Sequence, residues 1–272
     1  MHPNISVNNI CFMDETLEQQ LAHWPSLQVS RVSLVGPQVD AADINIVKSA
    51  LAQGGYQLET VVHPFSSQTP LTSDTSTWIE PRKNLSAQIE MASELGARSI
   101  YMTTGGHGDL VWEQAAEVFS AAVAPCAAQA RAAGIALMIE NAPPVYADLH
   151  IAHSLRDTIS LAEMAGIGVC IDLVGCWTEA DLKNLIARAV PICDLVQVSD
   201  YVCGDRNLPG RAVPGDGDVP LARLIDWLFQ EDYQGTFDLE LLGPRIDREG
   251  HLQAVQRSVH NLEQLLLDCA GG

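Results

Sequence analysis

The chain repeats one unit eight times: a short apolar segment, a turn, and a longer segment with helical periodicity. The predicted strands cover residues 5–11, 28–35, 57–63, 97–103, 135–140, 167–173, 194–199 and 235–242. The predicted helices cover residues 14–23, 40–53, 83–95, 110–133, 154–165, 178–189, 219–231 and 251–268. This alternation predicts a (β/α)8 barrel, an α/β fold whose active site lies at the C-terminal ends of the strands. A doubly wound open sheet is the rival, but it would carry a glycine-rich turn after its first strand, where CFMDET has no glycine.

Several predicted helices have recognisable ends. Four of them stop at glycines just before the next strand: Gly54-Gly55, Gly96, Gly134 and Gly166. Asp109 precedes LVWEQ, and Thr178 is followed three residues later by Asp181. Both patterns predict helix N-termini, the second as a near capping box.

The chain has 272 residues, which suits one barrel domain over residues 1–272. Its net charge of −19, from 34 acidic and 15 basic residues, argues against binding to a phosphate backbone. Apolar runs are too short for a membrane span, and the first residues lack the pattern of a signal peptide. We therefore expect a protein that binds a small molecule, with neither nucleic acid nor membrane as a partner.

The seven cysteines form no CxxC pair and leave an odd count. Cys170 and Cys193 lie in apolar strand-like runs, where cysteine behaves as a small hydrophobe. Reduced thiols and a cytoplasmic location are the expectation, and the spacing fits no cysteine-based zinc site.

Four successive predicted strands, the fifth to the eighth, each carry one polar side chain near the C-terminal end. They are Glu140 in IALMIEN, Asp172 in GVCIDLVG, Gln197 in DLVQVSD and Glu240 in GTFDLELLG. A lone buried acid is usually a salt-bridged structural residue, but four such residues share only 15 basic residues in the whole chain. Three carboxylates and an amide oxygen suit Mn²⁺ or Mg²⁺, with Co²⁺ or Zn²⁺ as alternatives. These residues are the predicted ligands of one divalent metal ion.

The chain resembles the xylose isomerase-like TIM barrel family of sugar (phosphate) isomerases and epimerases over almost its whole length. The resemblance rests on IEN around Glu140, CIDLVG around Asp172, VQVSD around Gln197, PGRAVPGDGD at 209–218, and DYQGTFDLELLGP at 232–244. Hydroxypyruvate isomerases are most similar at Gln197 and in the 209–218 loop; the tagatose and psicose 3-epimerases share the general pattern. The resemblance implies one divalent metal at the four positions, substrate contact by Arg211, and assembly as a homodimer or homotetramer.

Two positions depart from the family pattern. Gly175 stands where relatives commonly carry a substrate-binding histidine, three residues after the aspartate, so the substrate stays open. Relatives of the endonuclease IV type need further histidines for three zinc ions, and with Gly175 and Gln197 that set is incomplete. DNA repair is therefore not expected.

Two histidines follow the third and fourth strands. His63, in VVHPF, and His107, in TTGGHGD, are both predicted to face the mouth and to bind substrate hydroxyls or act in acid–base catalysis. For His107 a surface loop position without a function is the alternative.

The predicted reaction is metal-dependent proton transfer on a small keto or hydroxy-carbonyl, sugar-like substrate. A cation that binds a carbonyl and the neighbouring hydroxyl acidifies the C–H between them by stabilising an enediolate. Glu140 and Glu240 are the predicted catalytic carboxylates, giving an isomerase or an epimerase. The alternatives are a dehydratase or lyase that expels a β-hydroxyl of a non-sugar compound, another metal-dependent activity such as hydrolysis, and a metal-stabilised binding protein without activity.

Overall fold

The computed structural model describes residues 2–66 and 69–270, and in it the eight strands close into a barrel with every neighbouring pair parallel. The predicted fold is confirmed, because the first strand pairs with the eighth and the sheet has no free edge. The strands are β1 Ile5–Asn8, β2 Arg31–Val35, β3 Gln57–Val62, β4 Ser99–Met102, β5 Ala136–Glu140, β6 Gly168–Asp172, β7 Cys193–Val198 and β8 Thr236–Leu239.

The helices lie outside the barrel and cover its apolar outer face. Their bounds are α1 Leu17–Leu27, α2 Gly36–Asp40, α3 Ile44–Gly54, α4 Ile79–Leu95, α5 Trp112–Ala133, α6 Leu155–Ala165, α7 Leu173–Cys176, α8 Leu182–Ala189, α9 Leu221–Gln230, α10 Pro244–Glu249 and α11 His251–Ala270. Short 3₁₀ turns occur at Asn9–Phe12, Thr75–Trp78, Pro144–Tyr146 and Val190–Ile192. No helix in the described ranges is both long and apolar enough to cross a membrane.

The glycine stops are confirmed, because Gly55, Gly96, Gly134 and Gly166 each end a helix with positive φ. In that backbone region glycine carries no steric penalty from a Cβ. The next strand begins two or three residues after each of these glycines, so the connection from helix to strand is short.

The two predicted N-terminal caps are wrong. A turn in which the Leu110 amide bonds to the His107 carbonyl leaves Asp109 exposed, before the start of α5. Asp181, rather than Thr178, is the residue preceding α8, and it has a left-handed backbone conformation. Its carboxylate accepts a bond from the Asn184 side chain instead of capping a backbone amide.

The inside of the barrel has an apolar layer below the C-terminal mouth. This layer consists of Tyr101, Met138, Cys170 and Leu195, and Val62 packs against it. All four are essentially inaccessible to solvent, and burying one large apolar side chain contributes about 1.5–3 kcal/mol. The layer forms a solid floor for whatever binds at the mouth.

Candidate active site at the barrel mouth

The four polar residues predicted on the last four strands all lie at the strand C-termini. Glu140 is the last residue of β5 and Asp172 the last of β6. Gln197 is the next-to-last residue of β7, directly beside Asp172 in the parallel register. Glu240 follows β8 directly. The strand order therefore sets these side chains side by side around one half of the mouth.

Arg211 binds Asp172 through both nitrogens of its guanidinium. Nη1 donates to Oδ1 at 3.0 Å and Nη2 donates to Oδ2 at 2.7 Å. Nη2 also lies 4.0 Å from Oε1 of Glu240, and the Arg211 and Glu240 side chains are each 13% exposed. A bidentate ion pair of this kind is among the stronger polar contacts in proteins. It fixes the orientation of Asp172.

Gln197 uses its amide as a hydrogen-bond donor. Its Nε2 lies 2.5 Å from Oε2 of Glu240, and its side chain also acts on Glu140 to lower the pKa of that carboxyl. An ionised carboxylate can only accept hydrogen bonds. The NH2 group of the Gln197 amide is therefore the part of the side chain that suits two neighbouring glutamates. Gln197 therefore links the two carboxylates that are predicted to carry protons.

Burial and like charge raise the pKa of both glutamates. For Glu140 the largest cause is loss of solvent, followed by repulsion from Glu240 and from Asp172. For Glu240 loss of solvent is again largest, and the Arg211 guanidinium acts in the opposite direction. Two acids whose charged forms repel titrate as a pair and exchange protons near neutral pH.

The loop that carries Arg211 is anchored by Asp200. The carboxylate of Asp200 accepts bonds from the backbone amides of Gly215, Gly217 and Val219 at 2.9–3.0 Å. A Cβ at residue 217 would lie 2.3 Å from Oδ1 of Asp200, so only glycine fits there. The backbone of Arg211 is also held, because its amide donates to the Leu242 carbonyl at 3.1 Å.

Asn141 fills the space beside Gly175. Its side chain donates to the Asp172 carbonyl and accepts from the Asp172 amide, both at 2.9 Å. A Cβ at residue 175 would lie 2.5 Å from Nδ2 of Asn141 and 2.9 Å from its carbonyl oxygen. The glycine is thus a packing requirement of this chain, and no side chain projects from that position.

Two residues that hold the glutamates were missed from the sequence. His150 is fully buried, and its Nε2 lies 2.8 Å from the Glu140 carbonyl while Nδ1 accepts from the Thr104 amide at 3.0 Å. The Tyr101 hydroxyl donates to Oε2 of Glu240 at 3.4 Å. Tyr101 could have been found as a polar side chain pointing inward from a buried strand. His150 lies in a loop, where no periodicity marks it.

A buried acid lies one layer below Glu240. Asp238 accepts bonds from Asn8 at 2.9 Å and Ser33 at 2.8 Å, and Asn8 also donates to the Tyr101 hydroxyl at 3.2 Å. Burial raises the pKa of Asp238 to about 6 despite these bonds. The chain Asp238–Asn8–Tyr101 links this layer to the mouth.

Tyr146, at the end of a 3₁₀ turn after β5, faces the same charges. Burial raises the pKa of its phenol, and Arg211, Glu240 and Glu140 all act on it. Its side chain is half-buried.

The two histidines predicted at the mouth follow β3 and β4, and their role in substrate binding stays a prediction. His63 lines a cavity of about 510 Å³ bounded by α2, α4 and the loop after β3, together with Asp40, Phe65 and Glu80. Neither ring nitrogen has a partner among the described residues, and burial lowers its pKa to about 4. His107 is exposed in the loop after β4. The geometry links neither histidine to the four strand-end residues.

The donor chemistry at the mouth suits a divalent cation. Three buried carboxylates face one guanidinium, which leaves two negative charges when all are ionised, and all candidate donor atoms are oxygens. No three His, Cys, Asp or Glu side chains of the described ranges form a ready-made metal cluster. Both oxygens of Asp172 accept bonds from Arg211 in this geometry.

Comparison with known proteins agrees with the geometry. A model of the xylose isomerase-like TIM barrel family matches residues 20–264. A comparison with curated proteins found no significant match.

Solved structures share the fold over nearly the whole chain. Protein SMc04130 from Sinorhizobium meliloti 1021 superposes with a TM-score of 0.86 at 21% identity, over 96% of this chain and 98% of that one. An L-ribulose 3-epimerase gives 0.82 at 15% identity, over 99% and 96%. The IOLI protein with a binding zinc atom gives 0.81 at 11% identity, over 97% and 98%. At these identities the superpositions establish the barrel.

Proposed function

The chain belongs to the xylose isomerase-like TIM barrel family, and we propose that it is a sugar isomerase or epimerase that moves a proton on a small ketose-like substrate. The observation that carries the proposal is the convergence of Glu140, Asp172 and Glu240 with Arg211 at one side of the mouth. The structural likeness to an L-ribulose 3-epimerase supports the same class of reaction.

Glu140 and Glu240 are the proposed acid–base pair. They stand on β5 and β8, which are not neighbours, so a substrate carbon can lie between them. Burial raises the pKa of both, and repulsion from Glu240 raises that of Glu140 further, so one can be ionised and accept a proton while the other still carries one. Return of the proton to the neighbouring carbon gives isomerisation, and return to the opposite face gives epimerisation.

Gln197 and Tyr101 orient that pair. The Gln197 amide donates to Oε2 of Glu240, and the Tyr101 hydroxyl reaches the same Glu240 oxygen. A carboxylate fixed by two donors presents its other oxygen, Oε1, in one direction. This oxygen faces Arg211 and is the one that would exchange protons with substrate.

Glu140, Asp172, Glu240 and the amide oxygen of Gln197 would hold a divalent cation. Bound there, it would act as a Lewis acid that polarises a substrate carbonyl and favours loss of the adjacent proton. The all-oxygen set favours Mn²⁺ or Mg²⁺. The IOLI protein carries zinc, so zinc belongs in the same screen.

Arg211 and Tyr146 are the proposed substrate contacts. The guanidinium already lies among the carboxylates, where it can donate to substrate oxygens, and the phenol borders the same space. Both belong to loops at the C-terminal face of the barrel, where enzymes with this fold carry their sites.

A dehydratase is the second candidate. Gly175 and the Asn141 side chain beside it leave no imidazole at the position where relatives bind substrate, which favours a different substrate. The same proton removal followed by loss of a β-hydroxyl would then release water.

The test is proton exchange followed by NMR in heavy water. A panel of free ketoses and short keto acids is incubated with the protein and Mn²⁺, Mg²⁺ or Zn²⁺. We expect deuterium at the carbon next to a carbonyl, with an isomer or epimer as product and no loss of water. Loss of water with exchange would favour the dehydratase. No exchange with any compound would overturn both candidates. Glu163→Gln, on the outer helix α6, is the matched control, and it should exchange like the parent.

A further inference from the structure

Arg211 occupies the oxygens that a cation at this site would need. Both oxygens of Asp172 accept from its guanidinium, at 3.0 and 2.7 Å, and Oε1 of Glu240 lies 4.0 Å from it. The guanidinium thus contacts two of the three carboxylates at the mouth. It is a fixed positive charge in the space between them.

The charge of Arg211 opposes that of an incoming cation. The energy between two charges a few ångströms apart is much larger in a partly buried site than in water, because the screening is weaker. The Arg211 side chain is 13% exposed and that of Asp172 only 5%. A divalent ion therefore meets repulsion at close range as well as an occupied ligand.

Of the two partners in this ion pair, the Arg211 side chain is the one that can move. Asp172 is fixed, since its Oδ1 also accepts from the Val174 amide at 3.0 Å and its backbone is bonded to Asn141. The backbone of Arg211 is fixed by Leu242, and its neighbour Ala212 exchanges two backbone bonds with Asp200 at 2.8 Å. Rotation of the Arg211 side chain, whose Nη1 also donates to the Ser199 hydroxyl at 3.3 Å, would free the oxygens of Asp172.

We propose that Arg211 competes with the divalent cation for Asp172 and so sets the metal affinity of the site. This inference rests on the metal dependence of the proposed function. A consequence is coupling between the two ligands: a substrate oxygen that draws Arg211 off Asp172 strengthens metal binding, and the metal strengthens substrate binding by the same factor.

The test measures metal affinity without any substrate. Mn²⁺ is titrated by calorimetry into the chelator-treated parent and into Arg211→Met, which keeps the length of the side chain and removes its charge. We expect Arg211→Met to bind Mn²⁺ about tenfold more tightly, within the usual range of coupling between sites. Arg245→Met is the control, because Arg245, in α10, pairs with Asp205 at 2.9 Å and should leave the affinity unchanged.

A second variant covers the case in which Arg211→Met does not fold. Arg211→Lys keeps one charge but cannot hold both oxygens of Asp172, so its affinity should lie between those of the parent and the methionine variant. Metal binding by the variants and not by the parent would support competition most strongly.

The failures are distinguishable. If the parent binds Mn²⁺ and neither Arg211 variant binds it more tightly, competition is overturned while a metal-dependent function stands. If no protein in the series binds Mn²⁺, Mg²⁺ or Zn²⁺, the metal dependence falls, and the inference falls with it.

Discussion

The side-chain nitrogen of Gln197 lies 2.5 Å from Oε2 of Glu240, and the same side chain acts on Glu140 to lower its pKa. One neutral side chain thus links the two acids of the proposed proton transfer. Each ring nitrogen of a histidine at this position could donate a hydrogen bond to only one acid. The charge of that histidine would also depend on pH. Gln197 keeps the link neutral across the pH range.

Replacement of Glu240, one of the two proposed acid–base residues, should strongly reduce turnover. Glu240→Gln keeps the shape of the side chain but cannot accept a proton, so kcat should fall by about 100-fold or more, the usual contribution of general acid–base catalysis. Steady-state kinetics on whichever ketose shows exchange, with the melting temperature as a folding control, would check this. Full turnover in the variant would remove Glu240 from the mechanism.

Replacement of Gln197 by histidine should change the choice of metal. Gln197→His supplies an imidazole nitrogen, so the affinity for Zn²⁺ should rise relative to that for Mn²⁺. Gln197→Ala removes the ligand and should weaken both ions. Calorimetric titration of the three proteins with the two metals tests the assignment, which fails if the alanine variant binds like the parent.

A side chain at residue 175 should destabilise the fold. Gly175→Ala places a Cβ only 2.5 Å from Nδ2 of Asn141, and overpacking of this kind costs about 1–3 kcal/mol. Urea unfolding measures the loss. In an Asn141→Ala background part of it should be recovered, because the clashing side chain is gone. Equal losses in both backgrounds would contradict the packing account.

The buried His150 should make the protein sensitive to acid. Burial lowers its pKa to about 4, below the value of about 6.5 in the unfolded chain. Between these values the unfolded chain binds more protons, so stability is lost as the pH falls from about 6.5 towards 4. Asp238, whose pKa is raised to about 6, acts with the opposite sign, so the slope must be compared between variants.

His150→Gln isolates this contribution. The variant cannot take up a proton, so its free energy of unfolding should fall less steeply than that of the parent between pH 6.5 and 4.5. Urea unfolding at a series of pH values gives both slopes. Identical slopes would show that His150 is protonated equally in the two states.

The fold and the strand-end residues could be predicted from the sequence because both follow from periodicity. Eight apolar segments alternating with helices leave few topologies, and in a parallel barrel the C-terminal ends of the strands must meet. Glu140, Asp172, Gln197 and Glu240 are polar residues at such ends, and the structure places them there.

The contacts between those residues could not be predicted, since they depend on loop geometry. The pairing of Arg211 with Asp172 needs the loop that Asp200 anchors, and the support of Glu140 by His150 needs the path of the loop after β5. His63 follows β3, as predicted, and lines a cavity between α2 and α4, so its role at the mouth stays a prediction. The position of a residue at a strand end follows from the sequence pattern, whereas the contacts of its side chain depend on the conformation of the loops.

Metal content, measured by elemental analysis on the parent and on Glu140→Gln side by side, tests the central claim most directly. After incubation with Mn²⁺ and Mg²⁺ and removal of free ions, the account predicts about one divalent ion per parent chain, as expected for a single four-ligand site, and its loss in the variant. If both proteins stay metal-free, the strand-end acids are structural, and the proposed mechanism is contradicted.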